Sequence, residues 1–249
     1  MADFLSLTNR ILRRLNEVEL TSADFASARG IQAAAKDAIN SAVFDLNRQQ
    51  FTWPFNAAQE NTTLVVGQVE YSNPLNMKTI EWNSFQITKD AGTGVEETYS
   101  LKYLDRDVYY ANFRNEDDDN TASGLDKPIY VYRSHGTGFG VSPAPDKTYR
   151  LSFRYFLHPT ELVDVADTPT GNVIYPNVLD YIITEGAMAH LYLFKDNPEA
   201  AQLAMANFQN GIVDLKAQYI NQYDNIRDTR VNFGGNMGRS GFVKVTTHG

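Results

Sequence analysis

Residues 197–219 read NPEAAQLAMANFQNGIVDLKAQY. Ala201, Ala204, Phe208, Ile212, Leu215 and Tyr219 fall at steps of three, four, four, three and four, which draws one apolar stripe along a helix. Asn197 and Pro198 supply a cap and a first-turn residue. Upstream, Val178, Ile182, Ile183, Ala187, His190, Leu191 and Phe194 fill one broad face of a second helix, from Pro176 to about Lys195. The other end of the chain repeats the pattern. Phe4, Leu7, Ile11, Leu15 and Val18 form a stripe that Thr21 and Ser22 interrupt. Ser22 or Asp24 is placed to cap a long alanine-rich helix from about Asp24 to Gln50, with Ile31, Ala35, Ile39, Ala42, Val43 and Leu46 inside. At ~1.5 Å per residue it would span roughly 40 Å. Gly30 within it costs about 1 kcal/mol relative to alanine, and marks either a loose first turn or a close approach of another backbone.

Two amphipathic helices at either end cannot enclose a core alone. The economical solution packs all four together and inserts the middle of the chain between the pairs. The middle reads as strand: Thr62–Val66, Val69–Tyr71, Thr79–Ile87, Thr98–Tyr103, Pro128–Arg133, Gly138–Val141 and Tyr149–Phe156. In the last, Leu151, Phe153 and Tyr155 alternate with Ser152, Arg154 and Phe156, the period of a half-buried strand. Gly67-Gln68 and Gly136–Gly140 mark hairpin connections, and a short helix over about Leu104 to Phe113 interrupts the sheet. Phe51-Thr52-Trp53-Pro54-Phe55 ends the first helical region, because proline lacks the donor. The expected fold is α+β. A discontinuous four-helix bundle comprises 1–56 with 174–226, an antiparallel β-sandwich or barrel-like domain occupies 57–173, and an extended arm covers 227–249. No repeat of fixed period is present.

The 249 residues carry 22 basic and 30 acidic side chains and no cysteine. A hydrophobic content of 43% against 21% charged residues is that of a globular protein, not a disordered one. Without cysteine there is no disulfide framework, thiolate metal site or cysteine nucleophile. No apolar run approaches the ~20 residues of a membrane span. Arg10, Arg13 and Arg14 break up the leucines that a signal peptide would need, so no secretory leader is expected. The net charge of −8 argues against general binding to nucleic acid or anionic membrane. That charge is unevenly placed: residues 227–249 carry +3 and the remainder −11. The tail is rich in glycine and at ~3.3 Å per residue could reach about 75 Å, which suits an interaction arm.

Catalytic signatures are largely absent. His135, His158, His190 and His248 are scattered without the i, i+4 pairing of a helical zinc site, and His190 reads as a satisfied core residue. The glycines at 136, 138 and 140 lack the later fingerprint spacing and following helix of a dinucleotide site. Asp105 with Asp107, and Asp164 with Asp167, are the carboxylate pairs left for acid–base work, and thirty acidic residues make such pairs common by chance. Glu116–Asp119 lacks the glycine and distal glutamate of a calcium loop and reads as a solvated charge run. Tyr103, Tyr109, Tyr110, Tyr130 and Tyr132 either stack sugars or fill a sheet with polar-tipped rings, the second explanation sufficing. The expectation is no catalytic residue, no metal and no cofactor.

The long alanine-rich helix followed by Phe51-Thr52-Trp53-Pro54-Phe55, the segment Tyr175-Pro176-Asn177-Val178-Leu179-Asp180-Tyr181, Glu185-Gly186-Ala187-Met188-Ala189 and Lys195-Asp196-Asn197-Pro198-Glu199-Ala200-Ala201 form a familiar arrangement. The chain resembles the head-to-tail adaptor proteins of tailed bacteriophages, particularly tail tubular protein A of short-tailed phages. The resemblance implies a non-enzymatic virion protein at the head–tail junction, assembled in the host cytoplasm. It implies a twelve-subunit ring that joins the portal to the tail nozzle, contacts tail fibres and lets double-stranded DNA pass without specific binding. It also makes 227–249 a portal-docking arm that uses Arg227, Arg230, Phe233, Arg239, Phe242, Val243, Lys244 and Val245, with Phe242–Val245 able to add an edge strand to a neighbour. Gly30, Gly186, Ala189, Ala201 and Ala204 would permit close packing of helices or subunits. The competing expectations are a tail-associated glycan-binding or glycan-hydrolysing protein and another tail-completion or baseplate component.

Overall fold

A computed structural model describes residues 2–89, 96–118, 124–136, 138–169 and 178–220. The described helices are α1 (Phe4–Arg14), α2 (Ile31–Gln49), α3 (Arg106–Asn112), α4 (Arg114–Asp118), α5 (Val178–Phe194) and α6 (Pro198–Tyr219). The chain divides into two compact units, Met1–Arg48 with Glu161–Gly249, and Gln49–Thr160. These bounds lie some 8 and 13 residues before the 56/57 and 173/174 divisions read from the sequence. At the second, residues just after 160 bond to the helices: Leu162 exchanges two hydrogen bonds with Asn40, at 2.9 and 3.1 Å, and Phe4 donates to the Asp167 carbonyl at 2.8 Å.

The first unit is built around α5. Residues Ile182 to Ala189 are buried without interruption, so the middle of this helix is enclosed on all sides where the sequence suggested one broad face, while Val178 and Phe194, expected on that face, are exposed at its ends. Two of its polar side chains tie it to the other three helices. Glu185 accepts from the Arg14 guanidinium on α1 and from the Asn207 amide on α6 at 3.4 Å. His190 lies 3.1 Å from the Asp45 carboxylate on α2, which makes it a satisfied packing residue. Steric fit is tightest at Gly186, where a Cβ would stand 2.9 Å from the Phe208 ring of α6 and 3.0 Å from the Ala42 Cβ of α2. Gly211 is its counterpart on α6, where a Cβ would meet Ile182 at 2.7 Å. Asn197 caps α6 by accepting from the Ala200 amide at 3.2 Å, with Pro198 in its first turn.

The beginning of α2 differs from the expectation. The helix starts at Ile31, not near Asp24, and Phe25–Ser27 forms a separate 3-10 turn. Thr21 donates to the Asp24 carboxylate at 2.6 Å, a local bond that favours a turn over a helix. Gly30 follows at φ +58°, in the left-handed region, with nothing within 4 Å of a Cβ placed there. It is a junction glycine where alanine would be strained, which reverses the helix-interior cost expected above. Val18, expected on the apolar stripe, is 77% exposed because α1 ends at Arg14.

The second unit holds β1 (Ala57–Leu64), β2 (Glu70–Ser72), β3 (Met77–Ile80), β4 (Gln86–Lys89), β5 (Glu97–Ser100), β6 (Lys102–Leu104), β7 (Leu125–Asp126), β8 (Tyr130–Arg133), β9 (Gly138–Ser142), β10 (Ala144–Pro145) and β11 (Tyr149–Leu157). One sheet has the order β1-β11-β4-β5, with β3 also paired to β11, and a second has the order β2-β9-β8-β6. Most pairs are antiparallel, but β6 runs parallel to β8, and β7 to β10. The β11 alternation is as read: Tyr149, Leu151, Phe153 and Tyr155 are buried, Arg150 and Arg154 exposed. Its inner face meets the second sheet in an aromatic core, with Phe85 stacked on Phe153 at 4.5 Å and Phe139 edge-on to the same ring at 5.2 Å. The strand expected over Thr79–Ile87 is broken by a 3-10 turn at Trp82–Ser84, whose Ser84 hydroxyl accepts from the Arg154 amide at 2.8 Å. Gly67 takes φ +73° in a turn as foreseen, yet the strands it joins belong to different sheets, so it closes no hairpin ladder.

Two outcomes follow from this packing. Gly186→Val should lower the thermal unfolding midpoint, at a cost of about 1–3 kcal/mol for forcing volume into a closed helix crossing; an unchanged midpoint would show that α5 relaxes freely. Tyr132 is wholly buried and stacked on Tyr109 at 3.6 Å, and burial pushes its phenol far above the ordinary value, with Tyr109 adding to the shift. Because the folded value exceeds the unfolded one of about 10, stability is fully present below about pH 10 and is lost above it as the unfolded chain ionises first. Unfolding midpoints measured from pH 8 to 11 should therefore fall less steeply in Tyr132→Phe than in the parent.

Candidate assembly surfaces

One carboxylate of each pair that might have carried chemistry is occupied by the backbone. Asp105 caps α3 by accepting from the Asp107 amide at 2.9 Å. Asp167 accepts from the amides of Val163 and Asp164 at 2.7 and 2.8 Å, which closes a turn. Asp117 does not belong to a solvated run: it is buried on α4, and its Oδ1 accepts from the Ala144 amide at 3.1 Å, while residue 119 lies outside the described residues. Among the described residues no group of three or more His, Cys, Asp or Glu side chains is placed to hold a metal ion. No described helix is long and apolar enough to cross a membrane.

Three of the five tyrosines singled out in the β region gather in one place, while Tyr103 packs against Trp82 and Tyr130 against Phe113. Tyr109, Tyr110 and Tyr132 stack between α3 and β8, with Tyr110 donating to Glu70 at 3.1 Å and His135 lying 4.2 Å from its ring. Arg114 sits 5.6 Å over Tyr110. The Tyr110 ring is thus surrounded by Tyr109, Tyr132, His135 and Arg114, and the cluster acts as packing between helix and sheet. Gly140 belongs to it, since a Cβ there would overlap the Tyr132 ring.

The small residues singled out from the sequence serve packing within this chain. Gly186 forms the helix crossing described above, Ala189 is fully buried, and Ala201 and Ala204 lie on the inner face of α6. Gly30 alone meets nothing. Arg227, Arg230, Phe233, Arg239, Phe242, Val243, Lys244 and Val245 lie outside the described residues, as does Pro176.

A surface that the sequence reading passed over lies on the outer side of α6. Leu203, Ala206, Asn210, Val213 and Ala217 recur at steps of three, four, three and four and are all exposed, with Leu203 at 67% and Val213 at 63%. This second stripe was present in the sequence, offset from the inner one, but the stronger Phe208 and Ile212 series concealed it. Charge is distributed unevenly along the same unit. Residues 1–48 hold six basic and six acidic side chains, whereas 161–226 hold two basic against nine acidic, so the acid excess of this unit falls in its C-terminal part, shared between the helix pair and the residues that flank it.

Comparison with curated protein sequences gives no significant match. The sequence matches the family model described as SU10 adaptor protein over residues 2–232, nearly its whole length. The expected resemblance to phage head-to-tail adaptors is thereby borne out. This α+β chain belongs to the SU10 adaptor protein family and has the structural role of a phage adaptor, located at the tail of the virion.

Proposed function

We propose that this adaptor assembles into a twelve-subunit ring that joins the portal to the tail nozzle, contacts tail fibres and serves as a conduit for genome passage, acting through contacts and not through catalysis. The observation that carries the reading is the exposed apolar face of α6. It has the spacing of a helix-packing seam with no described helix of its own unit upon it, and a neighbouring copy in a ring would cover it. The charge partition supports the same picture. An acidic body repels passing duplex DNA, and the +3 segment 227–249 suits docking on acidic portal surface. In this reading Arg227, Arg230 and Arg239 make charged contacts at the portal.

Mass measurement of the purified protein, alone and with portal, tests the reading. A ring or a portal-bound complex is expected, and a chain that stays monomeric and binds no portal overturns it. Leu203→Lys combined with Val213→Lys should leave the chain folded and abolish assembly; assembly at parental yield would move the subunit contact elsewhere. Deleting 227–249 should preserve the circular dichroism spectrum and abolish portal attachment, whereas unfolding on truncation would assign the tail to the core.

A further inference from the structure

β1 forms one edge of the five-stranded sheet. All eight of its residues pair with β11, and among the described residues no strand pairs with its other side. Its sequence, AAQENTTL, has no lysine or proline and a single charge, so it lacks most of the features that usually block edge pairing. Ala58, Glu60, Thr62 and Leu64 stand opposite the inward residues Tyr155, Phe153, Leu151 and Tyr149, and therefore point to the inner face. Beside them opens a cleft of about 460 Å³, lined by Glu60 and Thr62, by Tyr71 and Leu75 from the edge of the second sheet and the loop after it, and by Phe153 and Tyr155. Leu75 is 90% exposed. A strand added to β1 would place every second side chain in that cleft.

We propose that this cleft receives residues 241–247 of a second copy of the chain as an added strand. The segment reads Gly241-Phe242-Val243-Lys244-Val245-Thr246-Thr247, aromatic or β-branched at five of seven positions. Phe242, Lys244 and Thr246 share one face. Turned inward, that face offers a ring to the aromatic side chains of the cleft and an ammonium to Glu60. Lys244 is the one charge of the segment, as Glu60 is of β1. The 20 residues between Ile220 and Gly241 span up to about 70 Å when extended, enough to reach an adjacent molecule. The inference is independent of the portal reading, although one arm fills one acceptor at a time: a subunit whose strand lies in a neighbour's cleft is not using that strand elsewhere.

The absence of cysteine makes the test clean. Full-length protein carrying Asn61→Cys is mixed with full-length protein carrying Val243→Cys or Val245→Cys under mild oxidation, and disulfide-linked pairs are read on a non-reducing gel. Asn61 lies on the outward face of β1, and in the proposed strand both valines would lie on that same side. At least one combination should cross-link at least tenfold more than the same arm variants mixed with Ser100→Cys, which lies on the opposite edge strand β5. Glu60→Lys in the acceptor or Lys244→Glu in the arm should each lower the yield about tenfold, and the two together should restore it. Yields no better than Ser100→Cys, failure of the paired charge reversal, or a disulfide forming only when both cysteines share one chain would each overturn the proposal. Lys244→Glu alters only the arm, so its effect is read even if Glu60→Lys disturbs the sheet.

Discussion

The contact at Gly186 is the constraint on which the helical unit depends. A residue without a side chain lets α5 lie against both the Phe208 ring and the Ala42 methyl, and the approach is too close for even one added carbon. Close packing at that point buries the middle turns of α5 on every side, and burial on every side then dictates their chemistry. Each polar group on the enclosed helix needs a named partner, because an unpaired charge in such surroundings costs several kcal/mol. Glu185 meets this demand through Arg14 and Asn207, and His190 through Asp45. The same glycine thus sets the geometry, and the polar pairs fix which helix lies on which side.

Much of this was legible in the sequence, for reasons that differ by element. The stripes on α1 and α6 and the alternation in β11 were readable because each element has one wet face and one dry face, which is the condition under which periodicity carries information. The enclosed α5 has no wet face over its middle turns, so the pattern suggested a single broad face and underestimated its burial. The false start of α2 arose because Thr21, Asp24 and Gly30 act through local hydrogen bonding and a left-handed backbone, which a count of apolar spacings does not register. Sheet membership was beyond reach altogether. The turn at Gly67 is visible locally, but whether the following strand returns to its own sheet or crosses to another is settled by contacts far away in sequence.

The assembly surfaces show a similar division. Charge partition pointed to an arm and an acidic body from composition alone, and within the helical unit the acid excess falls in residues 161–226. Asp105 and Asp167, one carboxylate from each pair that invited a chemical reading, are consumed in capping and turn formation. What the sequence did not disclose was the second stripe on α6, because a helix can carry two seams and only the more hydrophobic one dominates a periodicity count. An outward seam of alanine, leucine and valine with one asparagine is weak as a core and well suited to a contact made after folding.

The ladder between β1 and β11 has a consequence for how the chain reaches its fold. Ala57 pairs with Phe156, so the points where the chain enters and leaves this sheet are adjacent strand neighbours. The helices that share one core are separated by more than a hundred intervening residues, and bringing the ends of so long a flexible loop together costs on the order of 4 kcal/mol in lost chain entropy. Once this ladder has formed, the distance is already closed, and the two halves of the helical unit meet as though joined by a short turn. The inserted sheet is therefore a clasp, and the helical core is assembled at a local rather than a long-range entropic cost.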